Sequence, residues 1–275
     1  MHKFFFYITF ALYFVSTIGF LVHIITLRKD VEKVATSVLG AGFLFHTIAF
    51  GLRWAEGGHP PLVNFHESLS FLAWAMVGAF LVFQWLSKVK SFGAFVTPVA
   101  TVVMAAASFQ PGEILPLPPA LQSIWLPIHA SICLVADAIF VLAFCIAVMY
   151  LLQERQIKRK QLGSIFIRLP SLESLDLMNQ RCLTIGFPLL TMGIVTGSIW
   201  AEKAWGSYWS WDPKETWSLI TWFLYAALLH QRLTVGWRGR RAALMTIAGF
   251  AALIFTFLGV SLLLPGAHSY ATWYE

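Results

Sequence analysis

Charge is what this chain has least of. Of 275 residues only 12% are Asp, Glu, Lys or Arg, against 58% hydrophobic, and mean hydropathy is strongly positive. Soluble domains carry roughly 25% charged residues, so a soluble fold is excluded. Cysteine is scarce too. The three present, Cys133, Cys145 and Cys182, lie within or at the edge of apolar runs and form no CxxC pair. That excludes disulfide chemistry of the chain's own and leaves them as small packing residues. No internal repeat or low-complexity tract interrupts the apolar segments. Acid is in the minority, 13 Asp and Glu against 19 Lys and Arg, for a formal net charge of +6.

What is there is hydrocarbon in blocks of membrane-spanning length. They lie near 4–27, 34–54, 67–87, 92–109, 126–152, 182–200, 214–234 and 242–264. At roughly 20 apolar residues per span, these predict an all-α polytopic protein of about eight transmembrane helices in a single membrane domain, 1–275. The first run is too long for a signal-peptide core, lacks a small-residue cleavage site and follows only Lys3, so it reads as a span. Loops 28–33, 88–91, 153–181 and 232–241 hold 15 of the 19 Lys and Arg, leaving Lys3, Arg53, Lys203 and Lys214 for the other side. By the positive-inside rule those loops are cytoplasmic, or stromal in a plastid, and both termini face the outer (periplasmic or lumenal) side. Basic residues confined to loops between spans set orientation in a lipid bilayer and give no nucleic-acid surface.

Three connections are long. In AEGGHPPLVNFH, 55–66, Gly57-Gly58 and Pro60-Pro61 forbid regular helix. The loop 110–125 is proline-rich and reads as extended. The basic loop 153–181 ends in SLESLDLMNQR, where Leu172, Leu175 and Met178 recur at helical spacing. That end is an interfacial helix or an extension of the sixth span.

The external loop 200–217 between spans six and seven holds more than a connector requires. It contains WGSYWSWDPKETW, from Trp205 to Trp217. Asp212-Pro213-Lys214-Glu215 reads as a helix start, with Asp212 as N-cap, Pro213 at the first helical position and Glu215 closing a capping box. Asn64-Phe65-His66-Glu67 repeats the pattern ahead of span three. Capping accounts for the acids and the proline but not for the tryptophans. Six of the 12 Trp lie between Trp200 and Trp222. Four of them, Trp205, Trp209, Trp211 and Trp217, are interleaved with Gly206, Ser207 and Ser210. One reading is an interfacial aromatic belt, which suffices for Trp54, Trp74, Trp85, Trp125, Trp237 and Trp273. The other is a flat aromatic shelf that small residues let a large ligand approach.

Ionisable groups inside spans are costly and mark candidate sites. Of eight histidines, His129 follows Trp125 and Pro127 at the outer end of span five. His268 follows Pro265-Gly266 beyond span eight. His230 lies in span seven, 13 residues after Trp217, so about 20 Å inward at ~1.5 Å per residue. An aromatic shelf flanked by two imidazoles suits a planar apolar macrocycle with a central metal, haem b held non-covalently through axial histidines. The capped start of span seven, with Lys203 and Lys214, offers its propionates positive potential. Zinc is the alternative, but no cysteine or tight histidine pair supports a tetrahedral site. An electron-transfer cytochrome b is excluded, because only His46 and His59 have the spacing for stacked haems and Gly57-Gly58 breaks the helix between them. His2, His23, His46, His59 and His66 read as hydrogen-bonded structural histidines, and Asp137 in span five as a structural carboxylate.

The segment 175–230, with GFPLLTMGIVTGSIWAEKAWGSYWSWDPKETWSLITWFLYAALLH, resembles the CcsA/ResC cytochrome c biogenesis proteins of System II, members of the tryptophan-rich (WWD) haem-handling superfamily. GWRGRRAA at 236–243, HSYA at 268–271 and NFHESLSFLAW at 64–74 continue the likeness over roughly residues 60–271. Residues 1–60 carry no matching motif, and His66 stands where the family has Tyr. The resemblance implies that His129 and His268 ligate haem at the outer face beside Trp205, Trp209, Trp211, Asp212 and Trp217. It implies that His230 ligates haem at an inner site whose second ligand belongs to a CcsB/ResB-type membrane subunit, although His23 and His46 are arguable from depth. The implied function is to hold or move haem across the membrane and present it to the CxxCH of apocytochrome c, as a subunit of a cytochrome c haem lyase. A haem exporter without a part in attachment, and a docking subunit that binds no haem, are the alternatives.

Overall fold

Lipid offers no hydrogen bonds to a peptide group, so an apolar segment that crosses it has to satisfy its own backbone, as a helix does. The computed structural model describes residues 1–87, 89–114, 116–160 and 163–266. Among these the regular structure is helical throughout. Seven helices are long and apolar enough to cross a membrane: His2–Thr26, Lys29–Gly57, Phe65–Ser87, Lys90–Ser108, Trp125–Lys158, Leu172–Trp205 and Arg240–Leu263. The protein is therefore a multi-pass membrane protein. The block expected at 214–234 folds as the 18-residue helix Pro213–His230, which is not among the seven. Lys214, Glu215 and His230 lower its hydropathy.

The chain forms two compact units. The first comprises Met1–Leu115 with Arg159–Pro170. Its helices are α1 (His2–Thr26), α2 (Lys29–Gly57), α3 (Phe65–Ser87) and α4 (Gly93–Ser108), with a short helix at Ser164–Arg168. Leu27, in a left-handed conformation with φ 58°, reverses the chain between α1 and α2. The core is aromatic: Phe20, Phe80 and Phe92 are fully buried, with ring centroids 5.8 and 5.6 Å apart along the trio.

Most buried polar side chains inside this unit are paired, as burial demands, although His59 Nε2, Gln84 Oε1 and Arg168 Nε have no partner among the described residues. His46 engages Tyr13 Oη through Nδ1 at 3.1 Å and Ser70 Oγ through Nε2 at 2.9 Å. The Arg53 guanidinium donates to Glu67 at 2.7 Å, to the carbonyls of Gly112 and Glu113 at 3.0 and 3.2 Å, and contacts His2 Nε2 at 3.1 Å. His23 bonds the Arg28 carbonyl, His59 the Pro60 carbonyl and His66 the Ala107 carbonyl. These five histidines have the hydrogen-bonded roles expected of them. The start of α3 is capped where the sequence placed it. Asn64 Oδ1 accepts the Glu67 N–H at 2.9 Å, while Glu67 reaches back to the N–H of Val63 at 2.9 Å.

The second unit comprises Pro116–Lys158 and the chain from Ser171 onward. Its two longest helices, α5 (Trp125–Lys158) and α6 (Leu172–Trp205), have 34 residues each and run antiparallel. Ser171 accepts the Ser174 N–H at 3.2 Å, and Leu175 and Met178 are buried. The SLESLDLMNQR segment therefore extends the sixth span. Helices α7 (Pro213–His230) and α8 (Arg240–Ile254) pack onto them. Tyr225 stacks on Phe140 with centroids 3.8 Å apart, and Phe250 on Phe144 at 4.3 Å. Two five-residue π-helical turns follow α7 and α8, at Gln231–Val235 and Phe255–Gly259.

Candidate functional site

The tryptophan-rich segment joins α6 to α7. Helix α6 stops at Trp205, and Gly206, with φ 76°, closes it through an N–H bond to the Glu202 carbonyl at 2.9 Å. Helix α7 opens with the expected capping box: Asp212 accepts the Lys214 N–H at 2.9 Å, and Glu215 accepts the Asp212 N–H at 3.2 Å. Glu215 also accepts the Ser210 N–H at 2.8 Å and its hydroxyl at 3.2 Å. One buried carboxylate thus collects three donors from the loop it terminates. Between the bonded residues Ser210 and Asp212, Trp211 takes a left-handed φ of 60°, costly for a side chain of its size. That conformation leaves Trp211 69% exposed.

The four tryptophans do not lie in one plane, as a flat shelf would require. Trp209 and Trp211 meet at 90° with centroids 5.7 Å apart. Trp205 stands edge-on to buried Trp200 at 5.0 Å, and Trp217 packs on Phe255 at 4.4 Å. Each tryptophan had to find its own neighbour, and loop backbone bonds rather than ring stacking fix Trp211. Of the two lysines expected near the capped end, Lys203 is exposed, whereas Lys214 donates to Ser261 Oγ at 2.8 Å and lies over Phe257.

His129 joins this aromatic group from α5. Its ring lies 6.0 Å from Trp200, nearly parallel at 18°, and Trp200 leads on to Trp205. Nδ1 is 2.8 Å from the Gly193 carbonyl, to which it donates. That bond fixes the neutral tautomer with the lone pair on Nε2, the arrangement an axial ligand requires. The ring rests on α6 at Gly197, where a Cβ would lie 2.6 Å from Cε1 and 2.7 Å from Nδ1. The sequence signal for this seat was Gly193 and Gly197, one helical turn apart, which drew no attention beside the tryptophans. Cys133, one turn along α5, places its sulfur 3.6 Å from the same Nδ1.

His230 occupies the opposite end of α7 from Asp212, 18 residues away, or ~27 Å at 1.5 Å per residue. It is exposed, and its imidazole has no hydrogen-bond partner among the described residues. His23 and His46, the depth-matched alternatives, belong to the first unit with their rings bonded as above. His268 lies outside the described residues. The described chain ends at Gly266, packed so closely on Asp212 and Pro213 that a Cβ there would collide with the Asp212 carboxylate. Asp137, half-buried on α5, makes no hydrogen bond or ion pair among the described residues.

Comparison with known proteins gives the family and the fold. Residues 62–268 match the family described as Cytochrome C assembly protein. Cytochrome c biogenesis protein CcsA of Microcystis aeruginosa is 38% identical over 272 residues, covering 82% of this chain and 83% of its own. The CcsA of Parasynechococcus marenigrum is 41% identical, covering 81% of each chain. That of Guillardia theta is 36% identical, covering 82% of this chain and 81% of its own. Among solved structures, Cytochrome c Heme Lyase CcmF superposes over 94% of this chain with a TM-score of 0.69 at 17% identity, a likeness of fold. The present chain spans 46% of that longer protein.

Proposed function

Because the chain belongs to the cytochrome c assembly protein family, we propose that it is the haem-handling subunit of a System II cytochrome c synthase. It sits in the bacterial cytoplasmic membrane, with its basic loops in the cytoplasm and the tryptophan-rich loop outside. Haem b is its cargo. His230 takes haem on the cytoplasmic side together with an imidazole of a CcsB/ResB-type subunit, and His129 with His268 holds it at the outer face. There an apocytochrome c presents CxxCH. Each thiol adds across a haem vinyl group, so a C–S bond forms, the thiol hydrogen passes to the other vinyl carbon and no electron is transferred. The chain's part is positioning. An apolar surround, which disfavours the extra positive charge of ferric haem, also favours the ferrous iron that leaves the thiols unoxidised.

The observation that carries this reading is the seat of His129. The Gly193 carbonyl holds the Nε2 lone pair in place, with Trp200 stacked on the ring and Trp205 on Trp200. The return of the described chain onto Asp212 at Gly266, two residues before His268, supports pairing it with His129.

The test is attachment itself. Cells carrying the protein with its partner subunit and a CxxCH reporter are scored for haem that survives denaturing gels. His129→Ala should lower attachment at least about ten-fold, the usual cost of a disturbed metal site. Haem appearing outside while attachment persists in that variant would replace the synthase reading with an exporter.

A further inference from the structure

We infer that Asp176 is the positioning residue for His230: its half-buried carboxylate clasps the segment that follows this histidine and sets the height and rotation of the imidazole. The inference rests on reading His230 as an inner haem ligand. Ligating histidines are normally oriented by a hydrogen bond from the other ring nitrogen. His129 has such a bond to the Gly193 carbonyl, whereas the His230 imidazole has none among the described residues. Its orientation has to come through the backbone.

That backbone is held at two points, Arg232 and Gly239. Two residues past His230, Arg232 sends Nη1 to Asp176 Oδ1 at 3.2 Å and Nη2 to Oδ2 at 3.0 Å and to the Asp176 carbonyl at 3.1 Å. Oδ1 also accepts the Gly239 N–H at 2.8 Å. The Arg232 side chain is 1% exposed. Arg232 itself lies within the π-helical turn Gln231–Val235, a shape common at functional sites. Gly236, with φ 77°, ends it, and the Trp237 N–H returns to the Gln231 carbonyl at 3.0 Å. Gly239, with φ 68°, then passes Tyr150 of α5, whose Oη would lie 2.6 Å from a Cβ there. Asp176 on α6 and Tyr150 on α5 thus hold the segment after His230 at Arg232 and Gly239, and leave the exposed imidazole facing outward. A largely buried bidentate ion pair is a weak source of net stability, but its fork geometry fixes position closely. That suits a histidine whose second ligand arrives from another subunit.

The measurement uses the full-length protein with its partner subunit, carrying His129→Ala and His268→Ala so that only inner haem remains. The ferric low-spin EPR spectrum and the midpoint potential are read per haem. Asp176→Asn keeps the shape but loses the charge and one acceptor. It should change the g-values, weaken haem retention about ten-fold and alter the ferrous-to-ferric preference about ten-fold, ~59 mV for one electron. Arg232→Lys, which keeps the charge without the fork, takes the same readings where Asp176→Asn does not accumulate. Unchanged g-values and potential in the variant that accumulates would overturn the positioning role. His230→Ala in the same background separates the two claims: haem that persists there removes the inner-site reading itself.

Discussion

A backbone carbonyl decides which nitrogen of His129 faces outward, and a missing methyl decides where the ring sits. Gly197→Ala would put a carbon 2.6 Å from the imidazole, well inside any real contact. The ring has to shift off the Gly193 carbonyl or the helices have to part, and overpacking of this kind costs about 1–3 kcal/mol. The expected outcome is about ten-fold less outer haem by difference spectroscopy, with the His230-dependent signal intact. Full retention of outer haem would show that the Gly197 seat is irrelevant to ligation. His129 itself was legible as a candidate, because a histidine at the outer end of a span is conspicuous. Its partners were not, since Gly193 lies 64 residues away in sequence. Asp176 and Arg232, 56 apart, were invisible for the same reason: each looks like an ordinary charge near a helix end.

At the scale of elements, the start of α7 was the most legible feature, because an N-cap is written within four residues. The capping box formed as expected, and so did the cap on α3. Ring orientation was not legible, because it depends on what each indole meets: Trp200 for Trp205, Phe255 for Trp217. The cap also gives Asp212 a local task that can be separated from contact with cargo. Asp212→Asn keeps an oxygen at the N-cap, whereas Asp212→Ala removes it at a cost of about 1 kcal/mol. The Asn variant should retain the parent's outer haem and thermal midpoint, and the Ala variant should lose part of both. Equal loss in the two variants would mean that the carboxylate charge itself meets the haem.

For the whole molecule, hydropathy gave seven of the eight spans it predicted, since apolar blocks of that length have one stable form in lipid, while the block at 214–234 folds as a helix that Lys214, Glu215 and His230 leave less apolar than the rest. It gave no hint of the first unit's internal ties, in which Tyr13, His46 and Ser70, or Arg53 and Glu67, pair across separate helices. Those contacts satisfy buried polar groups of the first unit, whereas the tryptophan-rich loop, His129 and His230, the described residues proposed to handle haem, all reside in the second. The central claim is that haem is held outside by His129 and His268. Its most direct test is a reduced-minus-oxidised absorption spectrum, with haem quantified chemically, of the detergent-purified protein and its partner subunit beside a His129→Ala, His268→Ala variant. The expected result is a low-spin, non-covalent haem signal that falls or changes ligation in the variant. The same signal, unchanged in amount and form, would contradict an outer haem site and leave the tryptophans as a docking surface.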